Sequence, residues 1–397
     1  MSTPPDAVQG VVGDDLSALL TLTADLGPSD LVEVVDVVAL VAGAESGRVL
    51  LADYGLVSMH ELGTDGRTGA GQPIEGTMAG RAFAMGETVV SDQGPTVWLP
   101  LAEGSERLGV LELTHASWTD ELGDRLAPVL RILVLVLVSK RRYTDVLLQS
   151  RRSQPLSLAA EIQWDLLPPL TCSTEQVSVS GILEPAYSIG GDSFDYAFNP
   201  GRVEFAILDA VGHGMPAVSM ASLAINGLRN ARREGHDLET AYYDTGAAIE
   251  AQFGDSNFVT GQLGRLDTET GELTWLNAGH PPPVLVRGNS YVGELVCAPS
   301  MPMGLGGSVT EIATERLQPG DRVLFFTDGV TETRSPEGEE FGVERLADLL
   351  VRATHDRLPP AETLRRLASS IFRPDASGLS DDATLLIVEF HGPAADG

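Results

Sequence analysis

The 397-residue sequence predicts an α+β protein built from two domains in tandem. Three observations lead there. The chain exceeds the length of one ordinary domain, and its 43% of hydrophobic residues can fill more than one core. Up to residue 142, stretches with helical periodicity bracket paired short strands. From Thr171 the texture changes to short strands separated by Gly- and Asp-rich turns with longer helices between them, and no repeat or low-complexity run appears.

Residues 1–14 read as a loose polar tail with neither the basic nor the apolar part of a signal peptide. Residues 14–26 and 29–44 carry apolar side chains at helical spacing. Residues 47–53 and 56–61 alternate around Tyr54-Gly55 and predict a hairpin. Residues 73–83 open a short helix, and 87–91 read as a strand. A second hairpin joins 97–102 to 108–114, and Asp120–Lys140 closes the unit as a long helix. Its apolar run at 126–138, interrupted by Arg131, falls short of the roughly twenty clean residues that span a bilayer, so it reads as a buried helix or a dimer seam.

Residues 143–170 form a helical linker. Pro155 suits the first turn of a new helix. Leu156, Ala159, Ala160, Ile162, Gln163, Leu166 and Leu167 then follow a 3.6-residue period, which Pro168-Pro169 stops. The segment is either a cover for the second domain or a transmitter between the two. Beyond it, strand candidates are 177–183, 203–208, 258–266, 272–276, 284–287, 291–295, 322–326 and 383–390. Long helices fall at 217–230 and 238–253, shorter ones at 342–353 and 360–372. Two sheets packed face to face with helices outside is the economical arrangement.

The formal net charge of −30 argues against nucleic acid or an anionic membrane as the main partner, because both need a basic footprint. Arg141-Arg142 and Arg151-Arg152 accordingly read as solvated helix faces. The two cysteines, Cys172 and Cys297, make neither a disulfide framework nor a thiolate zinc site, and fit a reducing cytoplasm.

In the first half, Ile74-Glu75-Gly76-Thr77, Gly80-Arg81-Ala82, Gly86, Trp98-Leu99-Pro100-Leu101 and Leu108-Gly109-Val110-Leu111 together resemble a GAF domain over residues 15–142. The resemblance implies an α/β sensor domain that binds a small ligand or mediates homodimerisation. The ligand stays unassigned: the segment lacks a cysteine for bilin attachment, and His60 and His115 read as packed or exposed side chains rather than haem ligands.

The chemistry lies in four acidic turns of the second half: Gly190-Gly191-Asp192, Asp209-Ala210-Val211-Gly212-His213-Gly214, Thr327-Asp328-Gly329 and Ser380-Asp381-Asp382. A lone Asp-Gly turn is ordinarily only a turn. Four of them, most abutting strand candidates, put carboxylates where a sheet can fix their relative positions. Ligand sets made only of oxygen select hard cations such as Mg²⁺ or Mn²⁺. Two such ions clamp an oxyanion and activate water near neutral pH.

These turns, with Glu161-Ile162-Gln163, Leu166-Leu167-Pro168, Asn277-Ala278-Gly279-His280-Pro281-Pro282, Pro319-Gly320-Asp321 and Phe341-Gly342, resemble in order the sporulation stage II E-type branch of the metal-dependent, protein phosphatase 2C-like (PPM) serine/threonine phosphatases. The likeness runs over 157–391. It implies an αββα sandwich at 171–392, two Mn²⁺ or Mg²⁺ ions, and hydrolysis of phosphoserine or phosphothreonine without a covalent enzyme intermediate. Carried across, Asp209 matches the carboxylate that bridges both ions, and Ala210 the residue whose backbone carbonyl reaches the second. Asp328 and Asp381 match the remaining ligands of the first ion. Asp192 matches the acidic residue on the other side of the pair, with Asp382 as a supporting partner.

The chain departs from eukaryotic members of the family at two places. Tyr187-Ser188-Ile189 stands where they grip phosphate with arginine, and Val211 where they carry a histidine. His213, two residues on, is a candidate general acid with a structural role as its alternative; His280 reads as a turn residue. The implied substrate is a phosphorylated anti-anti-sigma factor of the STAS fold, acted on by a cytoplasmic homodimer under control of the first domain. Two rivals stand beside this reading. One is a non-catalytic scaffold of the same fold that binds the same partner. The other is a cyclic-dinucleotide cyclase read from Gly190-Gly191-Asp192, against which the downstream acidic turns argue.

Overall fold

The computed structural model describes residues 27, 30–63, 71–115, 117–188, 190–334, 340–372 and 382–394. The expected tail, the expected helix at 14–26 and the ligand candidate Asp381 lie outside them. The chain divides into two compact units, Met1–Pro155 and Leu156–Gly397, each of mixed α and β structure.

In the first unit, strands β1 (Ser46–Ala52), β2 (Ser58–Glu61), β3 (Gln72–Pro73), β4 (Val89–Val90), β5 (Thr96–Glu103) and β6 (Glu106–Thr114) form one antiparallel sheet, ordered β3-β2-β1-β6-β5-β4. Helices α1 (Leu31–Val41) and α3 (Asp120–Lys140) bury Val34, Val38, Leu133 and Leu137 against Val49, Leu51, Leu99 and Leu111 of that sheet. Thr119 caps α3 by accepting the Leu122 N–H, and Asp120 and Glu121 complement the positive end of its dipole. The shorter α2 (Met78–Met85) starts on a Thr77 cap and stops at Gly86, whose left-handed backbone ends the helix.

The segment expected as a linker divides at Pro155. Before it, α4 (Val146–Ser150) returns to the first unit: Leu147 enters the core, Arg151 donates to the Ala52 carbonyl at 3.0 Å, and Ser153 donates to Asp53. After it, α5 (Leu158–Leu166) belongs to the second unit, where Ala160 packs on Leu183 and the Trp164 indole donates to the Ala186 carbonyl at 2.8 Å.

The second unit adds strands β7 (Thr171–Ser173), β8 (Val177–Glu184), β9 (Asp192–Asn199), β10 (Arg202–Ala210), β11 (Val259–Asp267), β12 (Glu272–Ala278), β13 (Val284–Arg287), β14 (Ser290–Glu294), β15 (Ala313–Arg316), β16 (Asp321–Phe326) and β17 (Ala383–Phe390). They form two antiparallel sheets, ordered β15-β12-β11-β10-β9 and β14-β13-β16-β17-β8-β7. Phe194, Phe205, Trp275, Phe325, Leu386 and Phe390 fill the space between them. Helices α6 (Met215–Glu234) and α7 (Leu238–Phe253) cover the outside of the five-stranded sheet. The short α8 (Asp328–Glu332) follows β16, and α9 (Val343–His355) and α10 (Pro360–Ile371) lie on the six-stranded sheet. Central strands covered on both faces read as unbroken apolar runs; β16 is buried at every position.

The face-to-face layout expected from the sequence is present, but β7, β9 and β15 were not expected. In β9 the apolar residues do alternate, at Phe194, Tyr196 and Phe198. The intervening Asp195 argues against a buried strand until its partners are seen. Arg229 and Arg232 of α6 reach its two carboxylate oxygens at 2.7 and 2.9 Å. Among the described residues, no helix is long and apolar enough to cross a membrane.

Candidate active site at the acidic turns

Strand periodicity alone places the acidic residues. Along β10, Val203, Phe205 and Ile207 point between the sheets while Ala206, Leu208 and Ala210 lie under the helices. Asp209 continues the first series and falls where the core ends, half-buried. Asp192 stands in the inward series of Phe194 and Tyr196, and pairs directly with Asp209 across β9 and β10. From the other sheet, Val323 and Phe325 lead to Thr327, and Phe390, Val388 and Leu386 lead back through Thr384 to Asp382. Four chain segments thus deliver polar side chains to one end of the inter-sheet core.

Hydrogen bonds lock these ends together. Asp382 Oδ2 accepts the N–H groups of Gly190 and Gly191 at 2.6 and 2.7 Å. The Ala210 N–H donates to the Gly191 carbonyl at 3.2 Å. Thr327 Oγ1 donates to Asp192 Oδ2 at 2.6 Å and accepts the Thr384 N–H at 2.9 Å. The glycines are steric requirements here: a Cβ on Gly191 would collide with the Ala210 carbonyl oxygen, and one on Gly329 with the Asp382 carbonyl oxygen.

Asp192 is 2% exposed. Burial pushes its carboxyl well above the usual carboxylate range, the charges of Asp209 and Asp382 push the same way, and hydrogen bonds from Thr327 and Thr384 oppose them. Among the described residues, no three His, Cys, Asp or Glu side chains converge on a common ion-binding point. The donor set nevertheless fits a hard divalent cation. It consists of oxygens, and its carboxylates repel one another in a way that a nearby cation would relieve.

The structure therefore brings together Asp192, Asp209, Ala210 and Asp382. Asp328 opens α8, exposed and adjacent to Thr327 at the same sheet end. His213 is exposed on the loop between β10 and α6. His280 is 5% exposed and belongs to the scaffold. The Asn277 side chain accepts its N–H at 2.7 Å and donates to its carbonyl at 2.9 Å, while its Nδ1 shares a 2.9 Å hydrogen bond with Thr260. Burial pushes its pKa down to about 3, so it is uncharged at neutral pH. Thr327 appeared in the sequence only as part of a turn. The signal that points it at the site is the period-two continuation of Val323 and Phe325.

Residues 199–391 match the sequence profile of the family described as Stage II sporulation protein E. The match begins after the first acidic turn. The chain is 27% identical over 263 residues to Protein IcfG of Synechocystis sp., covering 59% of this chain and 41% of that protein. It is 22% identical over 244 residues to the phosphoserine phosphatase RsbU of Bacillus subtilis, covering 61% of this chain and 71% of that one. Among solved structures it is similar to the SiaA PP2C domain of Pseudomonas aeruginosa, at 22% identity and a TM-score of 0.49 over 58% of this chain and 94% of that one. The chain spans less than half the length of IcfG.

Proposed function

We propose that the second unit is a divalent-metal-dependent protein phosphatase acting on phosphoserine or phosphothreonine in a regulatory protein. The observation that carries this reading is the gathering of Asp192, Asp209 and Asp382 at one end of the sandwich, within a region whose profile match is to the sporulation stage II E family. The named activity of RsbU, a phosphoserine phosphatase, supports it.

In this reading Asp209, Asp328, Asp381 and the Ala210 carbonyl would hold two Mn²⁺ or Mg²⁺ ions, with Asp192 and Asp382 contributing to the same site. Such ions supply charge neutralisation and polarisation of the phosphoryl oxygens. The chain's own contribution is positional. Asp382, just before β17, ties the Gly190-Gly191 turn that leads into β9 to the other sheet, and the β9–β10 pairing sets Asp192 against Asp209. His213, exposed on the loop between β10 and α6, is the candidate to donate a proton to the departing seryl oxygen, with a structural role as its alternative.

The finer parts of the proposal are a STAS-fold phosphoprotein as substrate, a homodimer, and a cytoplasmic setting. The first unit is read as a GAF-like sensor over 15–142 with an unassigned ligand, and its six-stranded antiparallel order with flanking helices supports this. The test is phosphate release from phosphoserine STAS proteins by the purified chain with Mn²⁺. Asp209→Asn and Asp328→Asn should each lower kcat by about 100-fold or more. His213→Ala should lower it by about ten- to a hundredfold. Turnover that persists in excess chelator, or an Asp209→Asn variant above about a tenth of the wild-type rate, would sink the assignment. Tight partner binding without turnover would mark a scaffold.

A further inference from the structure

We infer that Thr327 is a positioning residue: its hydroxyl latches the Asp192 carboxylate across the two sheets. The inference rests on the phosphatase reading for its functional half. Its structural half stands on geometry alone.

Thr327 and Thr384 are fully buried, so no solvent competes for the hydroxyl. A hydroxyl carries one proton and two lone pairs. The Thr384 N–H, which can only donate, occupies a lone pair of Thr327 Oγ1 at 2.9 Å. The Thr327 N–H donates in turn to the Thr384 carbonyl at 3.1 Å, which anchors the residue to β17. An ionised Asp192 carboxylate can only accept, so the hydroxyl proton goes to its Oδ2 at 2.6 Å while the second lone pair of Thr327 stays unused. The bond joins the start of β9 in one sheet to the end of β16 in the other, between residues 135 positions apart in sequence. It acts on a carboxylate that its neighbours Asp209 and Asp382 repel. Without it, Thr384 alone opposes that repulsion at Asp192.

Thr327→Val keeps the shape and removes the hydroxyl; Thr327→Ser keeps the hydroxyl and removes the methyl. In the full chain, Mn²⁺ affinity is measured by titration calorimetry, and kcat and KM with a phosphoserine substrate. The valine variant should bind Mn²⁺ about tenfold more weakly or worse and lose kcat, with KM changed by less than about twofold. The serine variant should recover Mn²⁺ affinity to within about threefold of wild type. Equal Mn²⁺ affinity in wild type and the valine variant overturns the inference, as does a folded serine variant as impaired as valine. Thr327→Ala serves as a second hydroxyl-free variant should valine prevent folding.

A cycle of Thr327→Val and Asp192→Ala, read by melting temperature in chelator, needs no metal. Coupled losses support the latch and additive losses overturn it. A chain that neither binds Mn²⁺ nor releases phosphate overturns the phosphatase reading and the functional half of this one, while the cycle still decides the latch.

Discussion

His280 is held between Thr260 and the Asn277 side chain, and its pKa falls to about 3 because burial penalises the imidazolium. An unfolded chain protonates the same side chain near pH 6.5. Between those values the unfolded state binds more protons, so this contribution to stability is complete above pH 6.5 and is lost as pH falls through the window. Between pH 7.5 and pH 5, His280 should account for about 2 kcal/mol of lost stability. Urea unfolding of wild type and His280→Gln at both pH values measures it: wild type should lose about 2 kcal/mol more than the variant over that interval. Equal losses would mean that the folded protein protonates His280 readily. Asp192 faces the opposite imbalance, a raised pKa in a cluster of like charges. One buried side chain therefore stabilises as a neutral group, while the other invites a cation.

Asp195 shows how an element depends on partners from elsewhere. It lies mid-strand in β9, 2% exposed, and its oxygens accept from Arg229 and Arg232 of α6. Arg229 also donates to the Leu166 carbonyl at 2.7 Å, the last residue of α5. One guanidinium thus joins a strand, the helix above it and the helix that opens the unit. Removing the carboxylate leaves two partly buried arginines without their counter-charge. Asp195→Ala should lower stability by about 3 kcal/mol, at the lower end for a broken buried pair because the arginines retain some solvent. Denaturant unfolding checks the value. A loss below about 0.5 kcal/mol would class the triad as surface decoration.

Across the whole molecule, the division at Pro155 sets what a shortened chain can do. A chain starting at Ser157 retains α5 and its cap, since the Ser157 hydroxyl accepts the Ala160 N–H and its own N–H donates to Tyr187. A chain starting at Thr171 loses buried Ala159, Ala160 and Gln163, and uncovers Leu183. The first should unfold cooperatively near the temperature of the second unit in the full chain. The second should melt lower by more than about 5 °C or aggregate. Calorimetry of the two chains decides this, and equal melting temperatures would leave α5 as a passive cover. If α5 transmits the state of the first unit, the chain from Ser157 should also differ from the full chain in basal rate.

Much of this was readable from sequence because it is local. Short apolar runs marked 284–287 and 383–390 with the bounds observed for β13 and β17, and helical periodicity did the same for α7. Glycine beside aspartate announced the turns through backbone sterics, and the steric need holds at Gly191 and Gly329. What only the tertiary structure decided is non-local. β9 was hidden because a buried Asp195 is tolerable only with two arginines from a helix some 34 and 37 residues away. The linker read as one segment belongs to two units, since packing rather than periodicity assigns α4 and α5. The meeting of Asp192 with Thr327, 135 residues apart, follows from which strand ends the two sheets bring together. Local propensity depends on a residue and its near neighbours; burial, charge state and hydrogen-bond direction depend on what the folded chain places opposite them.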